Sequence, residues 1–292
     1  MVRKVVETHG VEFSYVGCDG SGPGTKALDE ISLSIEKGEF VAVVGGNGSG
    51  KTTFARMVNA LLEPTAGAVL INGIDTKDKE CLWGVRRVAG MVFQDPDSQI
   101  VGTTVEEDVA FGPENLGLAP EEIRRRVRDA LLSVGMEDHG GTPPHLLSGG
   151  LKQRVSIAGV LAMKPACLIL DEATALQDPL ARKDIMELLR RLNREEGITI
   201  IHITHDMEEA ALADRVIVLD TGKVALEGKP HEVFSQVSRL RESGLHGPCV
   251  TELFEVLRGE GFHLPAGVLD VNEAAAALVR MLTGQGHALD TP

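Results

Sequence analysis

No apolar run in the 292-residue sequence approaches the length of a membrane span, and Met1 to Gly10 has neither the apolar centre nor the cleavage site of a secretory signal. A soluble chain that stays in the cytosol is therefore expected. Cysteine is scarce. Cys18, Cys81, Cys167 and Cys249 stand far apart with no C-x-x-C pair, which argues against a disulfide framework or a zinc site and for reduced, structural thiols. Positive charge is also short: 29 Lys and Arg face 43 Asp and Glu, and the net charge of −14 opposes non-specific attraction to nucleic acid or anionic lipid. Any membrane contact then has to run through a protein partner. No internal repeat of fixed period is visible. At 43% hydrophobic, the chain can bury one large core, or a main domain plus a small one.

What is present begins with Gly45-Gly46-Asn47-Gly48-Ser49-Gly50-Lys51-Thr52, which fits G-x-x-x-x-G-K-[ST]. An apolar run, Phe40 to Val44, precedes it and a helical pattern, Thr53 to Leu62, follows. A buried strand thus feeds a tight glycine turn that opens a helix, so backbone N–H groups and the helix N-terminus converge on one anion site. Lys51 there suits the β- and γ-phosphates of a nucleotide, and the Thr52 hydroxyl suits Mg²⁺. A chance match of this pattern is expected on the order of one time in a hundred chains of this length. The strand and helix on either side make it rarer.

The first third reads as β-rich, with strands at Val11 to Tyr15, Leu28 to Ile35, Phe40 to Val44 and Ala68 to Ile71 and a Gly-rich loop from Gly17 to Thr25. Glu121 to Val134 has the period of an amphipathic helix, with Arg124-Arg125-Arg126 expected on its solvated face. After Ser148 helices and strands alternate: Val155 to Met163, Cys167 to Leu170, Ala181 to Glu196, Ile198 to Ile203, Met207 to Ala213 and Val216 to Leu219. That is the grammar of a parallel sheet in an α/β fold, joined to an antiparallel β start. Beyond Pro230 the composition changes, residues from about 236 to 292 hold two or three short amphipathic helices broken by Gly and Pro, and Gln285 to Pro292 reads as a frayed end.

Cys167-Leu168-Ile169-Leu170-Asp171-Glu172 is an apolar strand ending in two carboxylates, and ligands of open α/β sheets bind outside the carboxyl ends of strands. Asp171 suits the Mg²⁺ shell, and Glu172 suits the polarisation of an attacking water. About twenty residues earlier stands Leu147-Ser148-Gly149-Gly150-Leu151-Lys152-Gln153-Arg154. Ser148 caps a helix there, and two glycines let backbone N–H groups approach a second anion.

This segment resembles the signature motif of ABC-type ATPases, and all the motifs of that family occur in its order over residues 1 to about 235. The resemblance implies a P-loop NTPase with a mixed sheet core, an antiparallel β subdomain and a helical subdomain at about 95–165, followed by a C-terminal extension at 236–292 that serves dimerisation. It implies ATP and Mg²⁺ as ligands, bound by Tyr15, Gly45, Asn47, Gly48, Ser49, Gly50, Lys51, Thr52 and Thr53. Tyr15, the single tyrosine, matches the aromatic that stacks on adenine, and a packed core tyrosine is the alternative. Gln94, ending the strand Met91-Val92-Phe93, matches a glutamine that touches Mg²⁺ and the attacking water. His205 matches the switch histidine at the γ-phosphate, whereas His202, inside the strand, is expected only to pack. Ser148, Gly149, Gly150 and Asp178 match the groups that reach the nucleotide of the opposite subunit, which implies a head-to-tail dimer with two composite sites. Leu151 and Gln177 depart from the family's usual Gln and apolar residue, and Thr52-Thr53 from its Ser-Thr. No catalytic group is lost by these changes.

Phe93 to Gly102, Thr104 to Asn115 and Ser156 to Ala162 are similar to the energy-coupling factor (ECF) ATPases of vitamin and cobalt or nickel importers, as is the tail around Gly244-Leu245, Pro248 and Val250 to Leu253. That resemblance implies a peripheral subunit on the cytoplasmic face of the cell membrane. Its implied partners are a second ATPase subunit, a transmembrane scaffold subunit whose helices rest near Gln94 and Pro96 to Val101, and a substrate-binding membrane subunit. A conventional ABC motor differs only in its partner. A non-transport ABC ATPase acting on DNA or the ribosome is disfavoured by the acidity and by the lack of a long coiled coil or a second motor.

Overall fold

The computed structural model describes residues 3–15 and 24–283. Cys18, most of the Gly17 to Thr25 loop and the end from Gln285 lie outside them. Two sheets and a helical layer are built from β1 (Lys4–Ser14), β2 (Lys26–Ile31), β3 (Ser34–Glu36), β4 (Phe40–Val44), α1 (Lys51–Val58), β5 (Ala66–Ile71), β6 (Ile74–Asp75), α2 (Leu82–Val88), β7 (Ala89–Val92), α3 (Val105–Asn115), α4 (Pro120–Ser133), α5 (Gly149–Leu161) and β8 (Cys167–Asp171). There follow α6 (Pro179–Glu196), β9 (Thr199–Ile203), α7 (Met207–Ala210), β10 (Arg215–Asp220), β11 (Lys223–Gly228), α8 (Pro230–Phe234), α9 (Val237–Glu242), α10 (Cys249–Gly259) and α11 (Val271–Leu282).

The central sheet has the order β11-β10-β4-β9-β8-β7, parallel throughout except for the β10–β11 hairpin. Its strands are apolar at nearly every position because both faces are covered. In β4, Phe40, Ala42 and Val44 join one core, with α3, α5 and α6, while Val41 and Val43 join the other, with α1 and the second sheet. That second sheet is antiparallel, β2-β1-β5-β6 with β3 also on β1.

Several elements differ from the sequence expectations. Strand β1 starts at Lys4, seven residues before Val11, because pairing with β3 and β5 recruits the polar stretch around Glu7 to His9. Helix α1 stops at Val58, where the Asn59 amide turns to donate to the Ala89 carbonyl and Ala60 takes a positive φ. Arg126 is not on a solvated face: it is buried, its Nε donates to Glu122 at 2.7 Å, and its guanidinium reaches the carbonyls of Ala162 and Met163 at the end of α5. A cation at a helix C-terminus is favourably placed, and the long stem packs as an apolar rod. The boundary expected at about 235–236 does not coincide with a change of core. Leu240 and Leu245 belong to the main core, whereas Phe254, Leu264, Val268, Ala274 and Ala277 form a separate small one.

Candidate functional site at the carboxyl ends of four strands

Four neighbouring parallel strands, β4, β9, β8 and β7, end on the same edge, and each delivers a candidate residue there. β4 leads into Gly45 to Lys51, β9 into His205, β8 into Asp171 and Glu172, and β7 into Gln94. Two glycines of the loop are required by space. A Cβ on Gly45 would lie 2.3 Å from the Leu219 carbonyl oxygen, and Gly50, at φ +102°, would press one to 2.5 Å from that of Ala27. Asn47 and Gly48 are exposed at the tip, and the Ser49 hydroxyl is buried with no partner. Lys51 is buried, and its ammonium donates to the carbonyls of Gly45 at 2.8 Å and Gly46 at 3.0 Å, which leaves one N–H of three for an anion.

The acids close the site from the other side. Thr52 Oγ1 donates to Asp171 Oδ1 at 3.0 Å. Glu172 turns into the left-handed region at φ +52°, its N–H donating to the Ile203 carbonyl. This uncommon conformation sends its carboxylate between Gln94, whose Nε2 lies 3.4 Å from Oε2, and His205, whose Nδ1 lies 3.9 Å from it. Burial pushes the Lys51 ammonium below its ordinary pKa, partly offset by Glu172 and Asp171. Burial likewise raises that of Asp171, with the Thr52 hydroxyl opposing and the Glu172 charge adding to it. A phosphate beside Lys51 and a divalent cation beside Asp171 would each relieve a charge that the fold desolvates. The hydroxyl, carboxylate and amide oxygens of Thr52, Asp171 and Gln94 are the hard donors Mg²⁺ takes, and phosphate and water oxygens complete such a shell. Among the described residues no cluster of His, Cys, Asp and Glu could hold a metal by itself.

Tyr15 is 42% exposed, T-shaped against Phe13, and its hydroxyl shares a 3.1 Å hydrogen bond with Thr53 Oγ1. It is therefore not a packed core tyrosine.

The remaining candidates are not brought to this cluster. Ser148 is exposed and caps α5 through the Leu151 N–H at 3.4 Å. The Gly149 and Gly150 backbone faces Gln177 and Ala181: Gln177 is buried beneath the signature glycines, and Leu151 packs on the core. Asp178 caps α6, accepting from the Leu180 and Ala181 N–H groups at 3.0 Å. Ser148 to Gly150 thus stand apart from the cluster around Lys51 and Glu172.

Three features were missed in the sequence. The Phe93 N–H donates to Gln99 and its carbonyl accepts from the buried Gln153, so two glutamines hold the backbone beside Gln94 against α5. Lys152 adds an ion pair to Asp97 at 2.6 Å. His202, expected only to pack, bonds to Glu209 inside the core. The single hint of Glu209 was an acid in a first helical turn, which ordinarily reads as a dipole partner. Beside the strap at Phe93 runs an apolar groove of about 390 Å³, with Trp83, Val101, Phe111 and Met163 on its walls. Of residues 94–101 only Gln99 and Val101 line it; Gln94 faces the carboxylates instead.

Residues 28–175 match the model of the ABC transporter family. Over 277 residues, 95% of this chain and 99% of the relative, the sequence is 54% identical to the energy-coupling factor transporter ATP-binding protein EcfA1 of Clostridioides difficile. Among solved structures it resembles cbiO1 from Clostridium perfringens, described as part of the ABC transporter complex cbiONQ, with a TM-score of 0.74 and 40% identity over 87% of this chain and 99% of that one. It also resembles the dimeric post-hydrolysis state of the ATP-binding cassette MJ0796 bound to ADP and Pi, with a TM-score of 0.68 and 35% identity over 77% of this chain and 98% of that one.

Proposed function

Because the chain belongs to the ABC transporter family, among its energy-coupling factor ATP-binding subunits, we propose that it hydrolyses Mg-ATP at a site shared between two ATPase subunits and so powers uptake of a vitamin or transition-metal ion. The observation that carries this reading is the convergence of Lys51, Thr52, Asp171, Glu172, Gln94 and His205 at four adjacent strand ends, with Ser148 to Gly150 left outside it. A site so divided is completed by a second chain arranged head to tail. ATP lies on the glycine loop with its adenine against Tyr15, and its γ-phosphate is held by Lys51 and His205 of one chain and by Ser148 and Gly150 of the other. Thr52, Asp171 and Gln94 would hold Mg²⁺, which when bound would neutralise charge on the phosphate oxygens. Glu172 orients the water, and Gln94 fixes that carboxylate by its hydrogen bond. Loss of the γ-phosphate removes the bridge between the chains, and the dimer reopens.

No described helix is long and apolar enough to cross a membrane, so the energy reaches one through partners. The groove beside Phe93 is the seat proposed for a helix of a transmembrane scaffold subunit. Trp83, Val101 and Phe111 are more than half exposed on its walls, an apolar patch of the kind that marks an interface. The cargo is chosen by a separate substrate-binding membrane subunit, and the chain works as a peripheral subunit on the cytoplasmic face of the cell membrane. By packing, we divide it into an ATPase unit reaching about residue 246 and a C-terminal unit from about 249, assigned to pairing with the other ATPase subunit.

The experiment is purification of the complex from its native membrane with wild-type chain and with Phe111→Glu. The wild type should bring a second ATPase and small membrane proteins, identified by mass spectrometry. The variant should keep nucleotide binding and lose the membrane subunits. Full retention of those subunits by the variant would give the groove another role, and a wild type that co-purifies with no membrane protein overturns the transport reading.

A further inference from the structure

Glu209 is 4% exposed, and one of its oxygens, Oε2, accepts three hydrogen bonds: from Thr204 Oγ1 at 2.7 Å, from His202 Nε2 at 2.8 Å and from Thr174 Oγ1 at 2.9 Å. Its other oxygen faces Arg182 Nε at 3.6 Å. With Nε2–H donating, His202 Nδ1 is left buried and without a partner, so the ring is committed to Glu209 alone. None of these groups is part of the nucleotide site itself. Their positions along the chain connect them to it.

Thr204 and Asp206 flank His205. The Thr204 hydroxyl that donates to Glu209 also accepts from the Asp206 N–H at 3.0 Å, and the Asp206 carboxylate pairs with Arg182 at 2.5 Å while capping the helix that carries Glu209. The backbone of His205 is thus held on both sides by a ring of bonds that closes through Glu209. Thr174, two residues after Glu172, ties the loop that leads through Gln177 to Asp178 to the same oxygen. We propose that Glu209 is a positioning residue: it fixes His205 relative to Glu172 and makes the His205 and Asp178 loops move as one body. A core acid serving packing alone would have no reason to gather donors from these two loops in particular. The inference rests on the ATPase reading above, and deepens it by naming what aligns two of its parts.

The test is a cycle of variants in the complex purified with its partners, reading ATP turnover, binding of a fluorescent ATP analogue and thermal melting. Glu209→Gln should lower kcat at least tenfold with the affinity for the analogue within about twofold, because Lys51 and the glycine loop make no bond to Glu209. In a His205→Ala background Glu209→Gln should add little further loss, since both act at the same point. Should Glu209→Gln fail to fold, Thr204→Val answers instead: it should lose turnover similarly, and Thr204→Ser should restore it. Wild-type kcat in Glu209→Gln or Thr204→Val, or losses that multiply with that of His205→Ala, would overturn the assignment. A wild-type complex that binds the analogue and does not turn ATP over would overturn the underlying reading instead, and this inference with it.

Discussion

Thr52 Oγ1 donates to Asp171 Oδ1 at 3.0 Å, joining the first turn of α1 to the end of β8 across 119 residues of sequence. The bond pre-aligns two hard oxygen donors on one side of the phosphate loop. Thr52→Val keeps the shape and removes the hydroxyl. It should raise the Mg²⁺ concentration needed for half-maximal turnover at least tenfold, with metal-free nucleotide binding nearly unchanged. An unshifted Mg²⁺ dependence would remove Thr52 and Asp171 from the metal shell.

Glu172→Gln preserves the left-handed turn and the size of the side chain while removing the charge next to Gln94 and His205. Turnover should fall by two orders of magnitude or more while ATP still binds, trapping the closed dimer. Single-turnover hydrolysis together with size-exclusion chromatography in ATP measures both effects. Turnover at the wild-type rate would take the role of orienting the water away from Glu172.

Ser148 is exposed, so bulk on its side chain does not enter the core. Ser148→Arg should lower the melting temperature only by the loss of the α5 cap, leave monomeric ATP binding unaltered and abolish ATP-dependent pairing, followed by light scattering. Normal pairing would mean that the site at Ser148 is not shared between chains.

The C-terminal unit is attached through Glu252, which accepts from Arg241 at 2.6 Å and from the Gly247 N–H at 2.9 Å, and through the Cys249 N–H on Glu208. Burial alone would raise the Glu252 pKa, yet Arg241 and the Gly247 N–H outweigh it and hold the folded value below the usual 4.5. A depressed carboxylate stabilises the fold at pH above its unfolded pKa, and that stability is lost as pH falls through the folded one. Glu252→Gln should therefore lower the melting temperature at pH 7, and the difference from wild type should shrink as pH falls below about 4 and disappear once it is below the folded pKa. Removal of everything after residue 246, which spares Leu240 and Leu245 in the main core, should weaken pairing of the ATPase subunits and leave nucleotide binding intact. A cut at 236 should instead destabilise the whole chain.

Motifs made of consecutive residues were legible because their chemistry is local. The order strand, glycine turn, helix at Phe40 to Val58 follows from an apolar run, small residues that tolerate positive φ and a helical period, and the same holds for the strand that ends in Asp171-Glu172. Family, fold class and the glycine loop were therefore fixed by neighbours in the chain. Tertiary structure decided everything that depends on which strands lie side by side. The order β4-β9-β8-β7 sets Gln94 and His205 beside Glu172 and leaves Ser148 apart. It also buries Arg126 against a helix end, joins Leu245 to the main core and gathers Thr174, His202 and Thr204 on Glu209. A buried polar group needs partners, but a linear pattern does not say from which distant element they come, and packing alone selects them.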